Sequence, residues 1–246
     1  MIGKLVRATK FKTKYYGLQL LHATYNLFVA APKKGGYKNS EEYNEIIDRA
    51  VERTDINEHL VTIFNEGVAS KPQVIVELGV RSGESTFILE RVAKQCDSIL
   101  ISVDLDSCIN ASQWKKWFFV QQDDIAFAKE FPNFCSKNNI EGKIDLLFID
   151  TSHLYEHTVQ EIESWFPLLS ENFKVIFHDT NLRDVFYRKD GSMGLAWDNE
   201  RGVIRAIEEY YNTSFDEKKD FTTTINGVQI KHYSNCCGLT ILEKTA

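Results

Sequence analysis

The sequence predicts a doubly wound α/β fold, in which a mostly parallel sheet carries helices on both faces. Short runs of β-branched and aromatic residues alternate with segments of helical periodicity from residue 71 onward. These runs are apolar almost throughout, as expected for parallel strands that are buried on both faces. The segments between several of them are long enough for crossover helices, which join neighbouring parallel strands.

The order of elements follows from the same pattern. Five buried strands are predicted, at residues 74–78, 99–103, 118–120, 144–149 and 173–177. Helices are predicted at residues 85–95, 156–169 and 203–211. The tail, residues 221–242, is expected to add two or three strands around a turn at Asn226-Gly227. The sheet should therefore have a β-rich C-terminal edge.

Residues 1–70 are predicted to be a helical extension of this fold. Apolar residues recur at helical spacing as far as Phe28, and Pro32 and Gly35-Gly36 end the pattern. A second helix is predicted to begin at Ser40. The first helix is expected to be a lid or a dimer arm, so that a homo-oligomer is predicted. Its lysines leave weak contact with a membrane surface, or with an acidic partner, as alternatives.

Composition argues against several classes of function. The formal net charge of −6 over 246 residues disfavours non-specific binding to nucleic acid. No apolar run is long enough for a transmembrane segment. The five cysteines form no C-x-x-C pair, which favours a cytoplasmic location and buried thiols that behave as small apolar residues.

Acidic residues mark the ends of the predicted strands. In doubly wound sheets, ligands bind outside the carboxyl ends of the strands, so acids at these ends should face a common site. The residues at these positions are Glu77, Asp104, Asp123, Asp150 and Asp179.

The turn after the first strand indicates which cofactor this site could hold. The run V-E-L-G-V-R-S-G-E-S places Gly79 and Gly83 in the turn, with Ser85 at the start of the helix. It lacks the lysine of a phosphate-binding P-loop, and Arg81 stands where a dinucleotide fingerprint needs its second glycine. Glu77 would also repel a phosphate. The turn therefore favours a positively charged cofactor without phosphates, and S-adenosylmethionine fits that description.

Two further acids suit the nucleoside part of such a cofactor. Asp104 can accept hydrogen bonds from both ribose hydroxyls, as acids after the second strand do in nucleotide-binding folds. Asp123 could accept a hydrogen bond from an adenine amino group. A solvated strand-end charge is the alternative for either residue taken alone.

These motifs together resemble class I S-adenosylmethionine-dependent methyltransferases. The resemblance rests on E-L-G-x-x-x-G at the first strand, the acid after the second, and F-I-D and H-D at the fourth and fifth. It is greatest to the branch of catechol and macrocin-type sugar O-methyltransferases. It covers roughly residues 74–181 and implies a seven-stranded sheet with an antiparallel last strand. Residues 71–246 are thus expected to form the catalytic domain.

Methyl transfer to a hydroxyl also requires that the hydroxyl lose its proton, to a base, a metal-assisted site or both. Asp150 is assigned to the cofactor, the metal and catalysis, and Asp179 to the metal, because hard oxygen ligands suit Mg²⁺. The resemblance implies a third polar ligand, which would be His178, while Thr180 replaces the asparagine of the catechol enzymes. His153 lies where those enzymes place a lysine base, and is predicted to be the general base.

Other interpretations of these residues remain open. His153 could instead contact substrate or metal, and the two acids could act without a metal. The run from His153 to His157 spells H-x-x-E-H, a zinc-peptidase motif, but its first histidine follows a strand end instead of lying on a helix. A metal-independent N-methyltransferase, a nicotinamide-dependent oxidoreductase and a cofactor-binding protein without turnover are the alternative functions.

The segment after the fifth strand is predicted to shape the site for a small-molecule acceptor, because it is too long for a simple connection. The residues expected to line this site are Tyr187, Trp197, Asn199 and Arg201.

Overall fold

The computed structural model describes residues 2–31, 33–35 and 40–244, with side chains from residue 14 onward. The helices are α1 (Ile2–Asn26), α2 (Glu41–Ala50), α3 (Leu60–Ser70), α4 (Glu84–Cys96), α5 (Asp124–Asn138), α6 (Tyr155–Trp165) and α7 (Gly202–Tyr211). The strands are β1 (Val74–Leu78), β2 (Ile99–Asp104), β3 (Trp117–Gln121), β4 (Ile144–Ile149), β5 (Leu169–His178), β6 (Val185–Tyr187), β7 (Met193–Leu195), β8 (Phe221–Ile225), β9 (Val228–Tyr233) and β10 (Leu239–Lys244).

Among the described residues, the central sheet has eight strands in the order β3-β2-β1-β4-β5-β10-β9-β8. The first five in this order are parallel, and β10 pairs antiparallel with both β5 and β9. The doubly wound fold with an antiparallel C-terminal edge is therefore confirmed. The sheet has one strand more than the resemblance implies, because the turn at Asn226-Gly227 folds β8 back onto β9.

Successive side chains of each strand point to opposite faces of the sheet, so the hydrophobic core is divided into two clusters, one on each face. On β1, Val74 and Val76 face the helices α5, α6 and α7, while Ile75 packs towards α2, α3 and α4. Both faces of β1 are apolar from Val74 to Val76, which is why this strand begins as a continuous hydrophobic run.

Two element boundaries differ from the prediction. The predicted helix at 156–169 ends at Trp165, and a single 3-10 turn follows before β5 begins at Leu169. Pro167 accounts for this end, since a proline cannot donate the backbone hydrogen bond that a helix interior needs. The long segment after β5 also contains a small antiparallel hairpin, β6–β7, which the sequence did not predict.

The N-terminal helix α1 lies against this hairpin. The Asn26 side chain donates to the Met193 carbonyl and accepts from the Met193 backbone N–H, both at 2.9 Å. Ser40 caps α2 as predicted, by accepting a hydrogen bond from the Tyr43 backbone. Helix α1 ends at Asn26, before the predicted end at Pro32 and Gly35-Gly36, of which Pro32 and Gly36 lie outside the described residues. Its role as a lid or a dimer arm stays a prediction.

All five cysteines are unpaired, but only three are buried as predicted. Cys135, Cys236 and Cys237 are buried, whereas Cys96, the last residue of α4, and Cys108, in the connection after β2, are only partly buried. Among the described residues, no helix is both long and apolar enough to cross a bilayer.

Candidate active site

The turn after β1 lies against the end of β4. Gly79 has a φ of +86°, and a Cβ atom on it would lie 2.1 Å from the Asp150 carbonyl oxygen. The Gly79 backbone donates to Val103 and the Asp150 backbone donates to Leu78, both at 2.9 Å, so the sheet hydrogen bonding continues into these loops. Only glycine fits this close approach, which brings Asp150 next to the glycine turn.

Gly79→Ala is expected to destabilise the protein by roughly 3 kcal/mol or more, because the new methyl group would overlap the Asp150 carbonyl at an unfavourable φ. In a domain of this size, that change lowers the Tm by about 6–12 °C. Thermal unfolding followed by circular dichroism measures it. Gly142→Ala is the matched control, since a Cβ there meets nothing within 4 Å. Equal Tm values for the two variants would contradict the prediction.

Asp104 ends β2 and holds the glycine turn. Its Oδ2 accepts from the backbone N–H groups of Val80 at 2.7 Å and Arg81 at 3.0 Å, and its Oδ1 accepts from that of Asp106 at 2.8 Å. Burial alone would raise the pKa of Asp104, but these backbone donors hold it below its ordinary value. Asp104 is therefore ionised and fixed, with its carboxylate at the mouth of a cleft.

This cleft is a cavity of about 270 Å³ at the carboxyl ends of the strands. Asp104, Asp123 and Asp150 are among the residues that line it. A smaller hollow, lined by Ser82 and Ser85 among others, adjoins it, and both share Gly79, Arg81 and Asp150. An elongated ligand with a positive charge fits such a surface, since its walls are acidic.

Two predicted cofactor residues have structural roles in this arrangement. Asp123 caps α5 by accepting from the Ala126 backbone at 2.8 Å, so only its second oxygen is free of the helix. Gly83 begins α4 with a φ of +84°, and its predicted position in the turn is confirmed.

Glu77 does not line the cleft or the hollow, although the strand-end pattern predicted that it would face the site. It is fully buried beneath α4, where it accepts hydrogen bonds from Ser85 at 2.7 Å, Thr86 at 3.0 Å and Ser102 at 2.5 Å. Burial raises the pKa of Glu77 to about 7, against the effect of these hydroxyl groups. Glu77 therefore positions Ser85, which does line the smaller hollow. Ser102 was missed, although a serine within the apolar run of β2 is a visible signal.

Four ionisable side chains meet where β4 and β5 end. His153 Nε2 lies 3.0 Å from Asp150 Oδ1 and 2.9 Å from Asp179 Oδ2. His178 Nδ1 lies 3.3 Å from an oxygen of each of these carboxylates. His153 and Asp179 both have a positive φ, 59° and 57°, which is strained for residues other than glycine. The fold thus brings together all four residues predicted for the reaction centre.

The two histidines and the two aspartates stabilise each other's charged forms. Burial alone would lower the pKa of His153, but hydrogen bonds to Asp150 and Asp179 raise it to about 10. The pKa of His178 is raised as well, since the two carboxylates outweigh the effect of burial. Burial would raise the pKa of both aspartates, but the charge of His178 and the hydrogen bonds from the two histidines lower it. At neutral pH, the group therefore holds two imidazolium ions and two carboxylates.

The surroundings of this centre include a residue that the sequence did not indicate. His59, from the N-terminal extension, is buried with its ring 5.9 Å from that of His178, and its Nε2 lies 3.1 Å from the Asn235 carbonyl. Burial and the neighbouring His178 charge lower the pKa of His59 to about 3. His59 is thus neutral and donates to that carbonyl.

The four predicted acceptor-site residues are divided between three places. The Trp197 ring stacks on that of His153 at 6.0 Å, and the Asn199 side chain donates to the Asp179 carbonyl at 3.1 Å. Tyr187 packs on Tyr25 of α1 instead. Arg201, the residue before α7, instead forms ion pairs with Glu208 at 2.8 Å and Glu217 at 3.1 Å.

The donor atoms at the centre fit a divalent cation. Single ligand atoms of Asp150, His153 and Asp179 all lie within 4.8 Å of one another. His153 Nδ1 is buried without a hydrogen-bond partner among the described residues, and His178 Nδ1 lies 3.3 Å from the buried Asp179 Oδ1. Carboxylate oxygen and imidazole nitrogen are the usual protein ligands of such ions. His153 belongs to this converging set, whereas the predicted ligand His178 does not.

The zinc-peptidase interpretation of H-x-x-E-H fails on geometry. Helix α6 begins at Tyr155, so His153 precedes the helix and His157 lies inside it. The two histidines also face different carboxylates, since His157 Nε2 lies 3.2 Å from Asp124.

Comparison with known proteins agrees with the fold. Residues 76–180 match the family described as a methyltransferase domain. An uncharacterized protein, y4gI of Sinorhizobium fredii, is 26% identical over 133 residues; the match covers 47% of this chain and only 14% of that protein.

Solved structures share the fold at low sequence identity. The SAH-bound methyltransferase PaMTH1 of Podospora anserina superposes with a TM-score of 0.54 at 12% identity, covering 94% of this chain and 96% of that one. The cofactor-bound protein Rv0187 from MTB gives a TM-score of 0.55 at 12% identity, covering 86% and 93% of the two chains. The MycE methyltransferase of the mycinamycin biosynthetic pathway gives 0.53 at 14% identity, covering 85% of this chain and 54% of that one. Residues 76–180, which carry the glycine turn and the reaction centre, thus match a methyltransferase domain, and the chain shares its fold with SAH-bound and cofactor-bound structures.

Proposed function

We propose that the protein transfers the methyl group of S-adenosylmethionine to a hydroxyl group of a small molecule, such as a sugar or a natural-product intermediate. One observation carries this proposal: Asp150 lines the acidic cleft and is also bonded to His153 at the reaction centre. A cofactor in the cleft would therefore lie beside the groups that handle the acceptor. Neither a nicotinamide cofactor nor zinc-peptidase chemistry is favoured by the methyltransferase family match.

The cleft offers a place for each part of the cofactor. Asp104 would accept hydrogen bonds from the ribose hydroxyls with its remaining lone pairs, and Asp123 would accept from the adenine amino group. The methionine part would extend past Gly79 into the hollow lined by Ser85. The surrounding carboxylates would stabilise the sulfonium charge, since opposite charges attract strongly in a partly desolvated cleft.

The reaction centre would prepare the acceptor. In-line transfer needs the acceptor oxygen close behind the methyl group, and alignment supplies much of the rate. His153 would remove the hydroxyl proton. It must first lose its own proton, which the neighbouring carboxylates of Asp150 and Asp179 stabilise. A divalent cation, if bound by Asp150 and Asp179, would supply positive charge that lowers the pKa of the acceptor hydroxyl. The structure of MycE, one of the similar proteins, contains Mg, SAH and Mycinamycin VI, which supports a metal-assisted reaction on a small molecule.

A metal-independent N-methyltransferase is the second candidate. The observation that favours it is the position of His153 Nε2, which already lies between the two carboxylates and satisfies their charge. An amine acceptor also has less need of a metal, since its lone pair can attack after simple deprotonation by a base.

Calorimetric titration with S-adenosylmethionine tests the cofactor first. Binding in the micromolar range, or about −8 kcal/mol, is expected. Hydroxyl and amine acceptors are then screened for release of S-adenosylhomocysteine, with Mg²⁺ and with chelator. Faster turnover of hydroxyl acceptors with Mg²⁺ supports the first proposal, and equal turnover of amines in chelator supports the second. A folded protein that binds no S-adenosylmethionine would rule out both.

A further inference from the structure

A second group of ligating side chains lies at the wall of the same cleft. Asp124 is the first residue of α5, and His157 and Glu161 lie one turn apart on the same face of α6. Asp124 and His157 both line the cleft, so water and ions can reach them. None of the three belongs to the reaction centre described above.

These three side chains converge on one point. His157 Nε2 lies 3.2 Å from Asp124 Oδ1 and 3.7 Å from Glu161 Oε1. One ligand atom from each residue lies within 4.8 Å of the others. The Thr151 hydroxyl donates to Glu161 Oε1 at 2.6 Å and so orients that carboxylate. Thr151 follows directly on Asp150, so the group is connected to the reaction centre through the β4 loop.

Two carboxylate oxygens of this group lack a hydrogen-bond partner among the described residues. Asp124 Oδ2 and Glu161 Oε2 are both buried without a hydrogen-bond partner among the described residues, and Glu161 is 0% exposed. The ion pairs of these two carboxylates in the described part of the chain involve His157 alone. Although His157 pairs with both carboxylates, each keeps one buried oxygen without a hydrogen-bond partner, and such an oxygen is costly to bury. This group should therefore take up a cation or share a proton.

We propose that Asp124, His157 and Glu161 bind a divalent transition-metal ion such as Mn²⁺ or Zn²⁺. One imidazole nitrogen and two carboxylates form a ligand set that suits these ions better than Ca²⁺ or Mg²⁺, which prefer oxygen alone. The open side of the site faces the cleft, where water would complete the coordination. The hydroxyl of Thr151 supports Glu161 in the way that hydrogen-bond partners commonly orient metal ligands. The bound ion would tie the start of α5 to α6 beside the cofactor cleft.

The test uses the full chain with Asp150→Asn and Asp179→Asn, which removes the carboxylates of the reaction centre. Mn²⁺ binding is followed by electron paramagnetic resonance and Zn²⁺ binding by calorimetry. One equivalent of metal is expected to bind. Adding Glu161→Gln should weaken binding by at least about 100-fold, since loss of a direct ligand exceeds the effect of losing an orienting partner. Glu163→Gln is the matched control, because Glu163 is exposed on the same helix.

The outcomes separate this site from the proposed methyl transfer, because no readout depends on turnover. Loss of binding on Glu161→Gln but not on Glu163→Gln supports the site. If Glu161→Gln does not fold, His157→Gln replaces it, since His157 is partly exposed. If the double variant does not fold, the wild-type protein should lose one bound equivalent on His157→Gln. Absence of metal binding at this site, or equal affinity with and without Glu161→Gln, would overturn the proposal and leave a shared proton as the explanation.

Discussion

Asp104→Ala is expected to weaken S-adenosylmethionine binding by about 10²–10⁴-fold. The carboxylate would accept hydrogen bonds from two ribose hydroxyls, and hydrogen bonds to a charged group contribute about 1.5–3 kcal/mol each. Every 1.4 kcal/mol changes the affinity by about tenfold. The same substitution also removes the acceptor of the Val80 and Arg81 backbone N–H groups, so the glycine turn loses its anchor. Calorimetric titration measures the change in Kd.

Asp106→Ala is the matched control for this experiment. It removes the same charge two residues further along, where the side chain is exposed and only the backbone N–H contacts Asp104. Its Kd should remain close to that of the wild type. Both variants need a thermal melt, because a loosened turn could also lower stability. A folded Asp104→Ala variant with unchanged affinity would remove Asp104 from the cofactor site.

The sheet could be predicted from the sequence because its strands are local apolar runs. Residues 74–78 and 144–149 are recognisable without any knowledge of their neighbours, and both match the observed strands. The β6–β7 hairpin was not predictable in this way. Its strands have three residues each, and they are held by contacts with α1 such as the hydrogen bonds between Asn26 and Met193.

The site was predictable where strand-end position determines the direction of a side chain. Asp104, Asp150 and Asp179 follow the last strand residues or end them, and the parallel sheet brings their carboxylates to one edge. Glu77 lies inside β1 and not after it, so the pleat turns its side chain under α4. His59 could not be predicted, since only the packing of the segment before β1 on the sheet brings it to His178.

The role of His153 also depends on structure that the sequence does not show. The resemblance to the catechol enzymes, which place a lysine base at this position, implied a base, but the second partner of His153, Asp179, follows another strand. The paired carboxylates raise the pKa of His153 to about 10, so it is protonated at neutral pH in this arrangement. A base is active only after it has lost its proton. The metal-free rate should therefore rise with pH towards about 10.

His153→Gln is expected to lower kcat by about 10²–10⁴-fold, the usual contribution of general-base catalysis, and to leave the Kd for S-adenosylmethionine almost unchanged. Glutamine keeps a hydrogen-bond donor between the two aspartates but cannot accept a proton at any accessible pH. The rise of the metal-free rate with pH should therefore disappear. Steady-state kinetics between pH 6 and pH 10, with the best acceptor from the screen, measures both effects.

Glu156→Gln is the matched control, because Glu156 lies in the same H-x-x-E-H segment but is exposed. It should retain the wild-type kcat and pH profile. A purely structural role for His153 would instead lower stability and cofactor affinity while the remaining activity kept its dependence on pH. If His153→Gln retained full activity and the same pH profile, the acceptor proton would have to leave by another route. Asp150 and Asp179 would be poor substitutes, because their lowered pKa values make them weak bases.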